Sequence, residues 1–157
     1  MSMTQMNRRH AMGLLGGTAL VSLLPSALMA AAPTKITVNK TPWCGCCTGW
    51  SKHLRAAGFD VTEVKYEDLE PIKRRLGVPE ALESCHTAEV EGYAIEGHVP
   101  ADDIKKLLAM RPDALGLAVP GMPTGSPGME MGNEREAYNV MLFSAEGSSV
   151  FSHYAGR

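Results

Sequence analysis

Residues 35–58 read KITVNKTPWCGCCTGWSKHLRAAG, and the fold turns on how this stretch is read. In Lys35 to Asn39, Ile36 and Val38 alternate with polar residues, the period of a half-buried strand. Lys40 to Gly45 contains Pro42 and reads as a turn. A helix is predicted from Cys46 or Cys47 to Ala57. Trp50, Leu54 and Ala57 fall at i, i+4 and i+7 on one face, and Gly58 suits the position just past a helix end. A strand therefore runs into a turn, and the turn delivers three cysteines to the start of a helix.

Phe59 to Tyr66 (FDVTEVKY) is rich in β-formers and predicts a second strand. Asp68 can cap a helix that carries Leu69, Ile72 and Leu76 on one face, with Pro71 tolerable in its first turn and Gly77 as its stop. Residues 78–88 read as irregular and hold Cys85 and His86. Val90 to Val99 predicts one or two short strands around Gly92 and Gly97. Pro100 opens a third helix with Asp102 and Asp103 early and Lys105, Lys106 and Arg111 late, the order a helix dipole favours. Pro112 closes it. Pro112 to Asn133 holds four prolines, five glycines and three methionines with little periodicity, so it reads as a long loop. Tyr138 to Ser144 and Ser148 to Tyr154 alternate around Ala145-Glu146-Gly147 and predict a hairpin. The order β-α-β-α-β(β)-α-loop-β-β predicts an α/β (α+β) fold. A strand followed by CxxC at a helix start matches a thioredoxin-like three-layer arrangement, here with a Gly/Pro/Met-rich loop and a C-terminal β-hairpin. WCGCC (residues 43–47) differs from the thioredoxin WCGPC at one position.

The N-terminal thirty residues have the three parts of an export signal. Arg8 and Arg9 supply positive charge, Ala11 to Leu24 is apolar, and small residues follow at Ala30, Ala31 and Ala32. The apolar run is short for a spanning helix, which takes ~20 residues. Residues 1–30 are therefore expected to be a signal peptide, with residues 35–157 as the functional domain. The Arg8-Arg9 pair allows a twin-arginine as well as a general secretory route. Net charge is −2. Cleavage would remove two of the 15 basic groups and none of the 17 acidic ones. No basic face is left for nucleic acid, and stable membrane insertion is not expected after cleavage.

Three of the four cysteines stand in four residues, Cys44, Cys46 and Cys47. A helix N-terminus presents free N–H groups and partial positive charge, which favour thiolate over thiol. Thiolate both attacks disulfides and binds soft metals. Three readings follow. Two structural disulfides would suit an exported chain, but only Cys85 lies outside the cluster, so one bond would close within CxxC, where such bonds are redox-active. A thiol–disulfide oxidoreductase would use Cys44 and Cys47, with Cys46 as an intrusive third thiol. A metal site would use the sulfurs as bridges between neighbouring ions. Zinc generally takes two separated ligand pairs, and an exposed iron–sulfur cluster suits an oxidising compartment poorly, so copper is the best match for the metal reading.

Around this core, Cys85-His86 offers a thiol beside an imidazole. It would lie against the CxxC if residues 84–87 lead into the third strand, whereas a free cysteine is otherwise commonly a buried, inert thiol. His98 stands just before a helix, as a ligand or as a hydrogen-bonding partner of the helix start. His53 reads as a packing residue and His153 as a surface one. Met122, Met129 and Met131 either form a thioether gate over the site or tuck the loop against the domain.

The segments TPWCGCCTGW (41–50), GVPEALESCHTA (77–88), VEGYAIEGHVPADDI (90–104) and GLAVPGMPTGSPGME (116–130) together closely resemble the CopG-type periplasmic copper-resistance proteins, from about Lys35 to Tyr154. The resemblance implies a thioredoxin-like fold, copper bound at CxCC, and a part in copper tolerance. It also implies a multinuclear, cysteine-bridged site that passes between Cu(I) and Cu(II). On this chain the implied ligands are Cys44, Cys46, Cys47 and Cys85, followed by His86, His98 and Met122. Sequestration or redox processing of copper is the expected function. A thiol–disulfide oxidoreductase and a chaperone delivering copper to an efflux partner are the alternatives. Against thioredoxin, Cys46 replaces the proline and no clear proline–threonine pair opens the third strand, which argues against disulfide exchange as the main activity.

Overall fold

The computed structural model describes residues 32–157, and the expected signal peptide, residues 1–30, lies outside them. Seven strands form one sheet: β1 (Lys35–Lys40), β2 (Asp60–Lys65), β3 (His86–Val90), β4 (Tyr93–Glu96), β5 (Gly116–Ala118), β6 (Tyr138–Ser144) and β7 (Gly147–Tyr154). The helices are α1 (Gly45–Ala56), α2 (Glu70–Leu76) and α3 (Ala101–Met110), with a single 3-10 turn at Glu80–Leu82. In space the strands run β2-β1-β3-β4-β5-β6-β7. The β1–β2 and β4–β5 pairs are parallel and the others antiparallel, so the fold is a mixed α+β one. Among the described residues no helix is long and apolar enough to cross a membrane.

Period-2 alternation splits the core into two faces. Ile95 of β4, Leu117 of β5 and Val140 of β6 join Trp50 and Leu54 of α1 and Ile104 and Leu107 of α3 on one side. Their strand neighbours Ala94, Ala118 and Phe143 face Leu76, Val78 and Leu82 on the other. The sheet is thus sandwiched, with α1 and α3 over one face and the α2 region over the other.

The helices stop where their sequence says they should. Gly77, at φ 70°, ends α2 in the left-handed conformation that glycine adopts at no steric cost. Asp68 Oδ1 accepts from Glu70 N at 2.9 Å, but the N-cap position belongs to Leu69, so the expected capping residue acts from one position further out. The predicted hairpin is β6–β7, with a register shift between Val140 and Met141.

One strand was hidden in the stretch read as loop. β5 occupies the centre of the sheet's C-terminal half, between β4 and β6. It is three residues long, too short to display a period. Its Gly116 looks like loop punctuation but serves close approach, because a Cβ there would run into the Ala94 backbone.

Candidate metal centre

The helix side of the site follows from the turn before α1. Cys44 is the N-cap residue, in extended conformation, and its Sγ accepts from the Cys47 backbone N–H at 3.3 Å. Cys44 N–H in turn donates to the Thr41 carbonyl at 3.2 Å. Cys44 and Cys47 are joined as a disulfide, Cα to Cα 5.4 Å, while Cys46 and Cys85 are free. Cys47 is fully buried, and Cys44, Cys46 and Cys85 are partly exposed.

The sheet side comes from residues 13 apart in the chain. Cys85 immediately precedes β3, whose first residue, His86, pairs with Lys40 at the end of β1. That pairing brings Cys85 against α1, with its Sγ 3.8 Å from Cys46 Sγ and 3.7 Å from Cys47 Sγ. Cys46 Sγ is also 3.5 Å from Cys44 Sγ, and since Cys44 is oxidised the Cys46 thiol is the donor. His98 lies in the turn between β4 and α3, with its Nε2 3.1 Å from Cys85 Sγ. His86 Nδ1 approaches the same sulfur at 3.2 Å.

The tautomers follow from the partners. His98 Nδ1 lies 2.8 Å from the Pro127 carbonyl, which only accepts, so Nδ1 carries the proton and Nε2 is bare. The Cys85 thiol donates to that Nε2, and His86 Nδ1–H donates to the Cys85 sulfur. His86 Nε2 is then left buried with no hydrogen-bond partner. Burial holds both imidazoles in the neutral form that ligates metals. His86 is driven well below the ordinary histidine range by desolvation, then by its neighbours His98 and Lys73. His98 is lowered by desolvation against the raising effect of the Pro127 carbonyl and Glu130. Cys85 is pushed up to about 12 by burial and then by its neighbour Cys46. A metal ion bound there would have to displace a proton from that thiol, and its uptake would be proton-linked.

The long loop closes the site. Besides the Pro127 carbonyl, Gly128 lies directly on α1. A Cβ there, at φ 86°, would come within 2.5 Å of Trp50 N and 2.7 Å of the Cys46 carbonyl. From below, the Trp50 ring packs on His86 with centroids 4.4 Å apart, and its Nε1 donates to the Val99 carbonyl at 2.8 Å.

Two buried lysines stand behind the cluster. Lys40 Nζ donates to Thr48 Oγ1 at 2.5 Å and lies 3.7 Å from Glu63. Lys73 is ion-paired with Glu96, which has no exposed side-chain surface. Burial raises the Glu96 carboxyl, and Lys73 and its hydrogen bonds oppose that.

Of the residues singled out in the sequence, Cys44, Cys46, Cys47, Cys85, His86 and His98 converge. The four sulfurs form one group, and Cys85, His86 and His98 form a second that shares Cys85, the ligand atoms of each group all lying within 4.8 Å of one another. Met122 is 53% exposed on the loop. Its neighbour Gly121 is bonded to the Glu83 carbonyl and to Ser84, beside the Cys85 segment. Met131 is exposed as well. The helix-start role considered for His98 belongs to His53, whose Nε2 accepts from Ala101 N at 3.1 Å. Lys73, Glu96 and the Pro127 carbonyl were missed. One clue was available for Lys73, which shares the helical stripe of Leu69, Ile72 and Leu76.

The donor set suits a soft or borderline ion. A tetrahedron with metal–sulfur bonds of about 2.3 Å has edges of about 3.8 Å, and three of the sulfur pairs here, Cys44–Cys46, Cys46–Cys85 and Cys47–Cys85, are 3.5–3.8 Å apart. Two neutral imidazoles, one with an orphaned ring nitrogen, add nitrogen donors.

The family described as "Protein of unknown function, DUF411" matches residues 82–129, the span from the 3-10 turn to the loop over the cluster. Among curated proteins none matches. Two solved structures are similar over most of the described residues. One, named "Copper resistance protein copG- Form 1", is 50% identical, with a TM-score of 0.76, covering 79% of this chain and 99% of that one. The other, "Copper resistance protein copG- Form 2", is 50% identical with a TM-score of 0.75, covering 78% and 98%.

Proposed function

Because this chain belongs to the family of copper resistance protein copG, we propose that it is a periplasmic copper-binding protein that sequesters or redox-processes copper in the service of copper tolerance. Copper is its cargo. Cys44, Cys46, Cys47 and Cys85 are the principal ligands, His86 and His98 supply nitrogen, and Met122 offers a thioether from the loop. One observation carries the reading: four sulfurs and two neutral imidazoles are gathered at one helix start in a chain half identical to copper resistance proteins. With six donors sharing Cys85 between two groups, more than one ion per chain is expected, held as Cu(I) by thiolates and open to Cu(II) through the imidazoles. The thioredoxin-like reading, the signal peptide in residues 1–30 and the periplasmic address belong to this same proposal.

Loading all four sulfurs requires that the Cys44–Cys47 disulfide first take up two electrons, from a thiol reductant that is itself oxidised. That disulfide supports the second reading, a thiol–disulfide oxidoreductase, since Cys44 is the accessible sulfur of the pair and Cys47 is buried. A chaperone handing copper to an efflux partner would use the same ligands.

Metal analysis of the chain purified reduced and without oxygen separates these readings. Copper above one ion per chain, lost in Cys46→Ser, is the expected result. Efficient insulin reduction by the metal-free chain, with no copper retained against a modest chelator, would replace copper binding by disulfide exchange. Copper transfer to a purified efflux protein would favour the chaperone.

A further inference from the structure

Cys85 and His86 sit between two residues tied to the same buried ion pair. Lys73 Nζ, from α2, donates to the Ser84 carbonyl at 3.1 Å and to Thr87 Oγ1 at 3.2 Å, and is paired with Glu96. Glu96, at the end of β4, accepts from Ser84 N–H at 2.6 Å on Oε1 and from Thr87 Oγ1 at 2.6 Å on Oε2. Ser84 is thus held through both its carbonyl and its N–H, and Thr87 through its hydroxyl. Glu96 is also two residues from His98. The intervening Gly97, at φ 70°, lets Ser84 lie against the turn, since a Cβ there would meet Ser84 Cβ at 2.6 Å.

A buried ion pair is a poor device for stability alone, because desolvation offsets much of the Coulomb attraction. Here every polar atom of the pair is directed at the segment that carries metal-ligating groups. We propose that Lys73 and Glu96 are positioning residues for copper, pinning Ser84 and Thr87 so that Cys85 and His86 face Cys46, Cys47 and His98 at ligating distance. The inference rests on the copper reading given above. Outer groups that orient metal ligands characteristically change affinity by about 10–100-fold when removed.

The test compares three variants with the parent: Lys73→Met/Glu96→Leu, which removes both charges together, Thr87→Val, which cuts one link at nearly constant volume, and Glu96→Gln, which keeps an acceptor for Ser84 N–H. Two quantities are read on reduced, full-length chain whose thermal midpoint has been measured. One is Cu(I) affinity by chelator competition. The other is the alkylation rate of Cys85 relative to Cys46 in the metal-free chain, an internal ratio that a uniform loss of stability does not move. The double variant is expected to lose affinity about 10–100-fold and to raise the ratio. Thr87→Val should move both the same way by less, and Glu96→Gln, which keeps the Ser84 N–H acceptor but leaves the Lys73 charge uncompensated, should fall between the double variant and the parent. If the double variant does not fold, Thr87→Val decides. Folded variants with the parent's ratio and affinity overturn the proposal and leave the copper reading standing. A parent chain that binds no Cu(I) overturns both.

Discussion

The two sides of the cluster hold the same kind of group by different means. On the helix side, Cys44, Cys46 and Cys47 are neighbours in sequence, placed by a turn, an N-cap bond and the first turn of α1. On the sheet side, Cys85, His86 and His98 are brought together by strand pairing. They are then fixed by an ion pair from α2 and β4 and by a carbonyl from residue 127. The helix side is local and partly open. The sheet side is remote in sequence and mostly enclosed. On the copper reading, an ion would meet the accessible sulfurs of the helix side first and be completed by the enclosed groups of the sheet side.

Trp50 touches both sides: it belongs to α1, packs on His86 and donates to the Val99 carbonyl. It is 0% exposed. Trp50→Ala is expected to cost about 3–5 kcal/mol. That is a fall of about 10 °C or more in thermal midpoint, with weaker copper retention by whatever remains folded. If the chain kept both its midpoint and its copper, the two sides would be mechanically independent. Gly128→Ala asks less. It introduces a Cβ against Trp50 N and the Cys46 carbonyl at a positive φ, for about 1–3 kcal/mol. The loop should lift from the helix side, so Cys46 alkylation should rise more than that of Cys85. An unchanged midpoint would mean the loop does not bear on α1.

The smallest effect concerns acid. His53 must be neutral to accept the Ala101 N–H, and burial lowers it below its ordinary value, against the raising charges of Glu130 and Asp102, with Lys105 adding to the lowering. The unfolded chain, with histidine near about 6.5, then binds a proton that the folded chain resists. This contribution to stability is complete above that value and is lost as pH falls through the lower folded one. The thermal midpoint of His53→Asn should therefore fall less steeply between pH 7 and 5 than that of the parent. Parallel slopes would show that His53 does not couple this helix start to acid.

This contrast also explains which parts of the site could be read in advance. The mixed α+β fold, the order of the helices and of every strand but β5, and the CxCC half were legible because their causes lie within a few residues: alternation in KITVN, the stop at Gly77, the helix after Gly45. Cys85 was legible as a candidate because it stands beside His86, but what fixes it was not. The Pro127 carbonyl meets His98 across 29 residues, and a proline in a glycine-rich stretch shows nothing of that. The α3 start accepts help from His53, 48 residues away, where sequence reading found only packing. β5 escaped because three residues display no period, and its glycine imitates a turn. Lys73 gave a clue, a charge on an apolar stripe, that becomes meaningful only once Glu96 is seen opposite it.

The chain's two tryptophans bracket the cluster from opposite environments. Trp43, 69% exposed, adjoins Cys44, while Trp50 lies beneath His86 with no exposed surface. Their ultraviolet emission should differ accordingly, red-shifted from the solvated indole and blue-shifted from the enclosed one. Events at the open rim and at the sealed floor thereby become separable by colour in a single unlabelled sample.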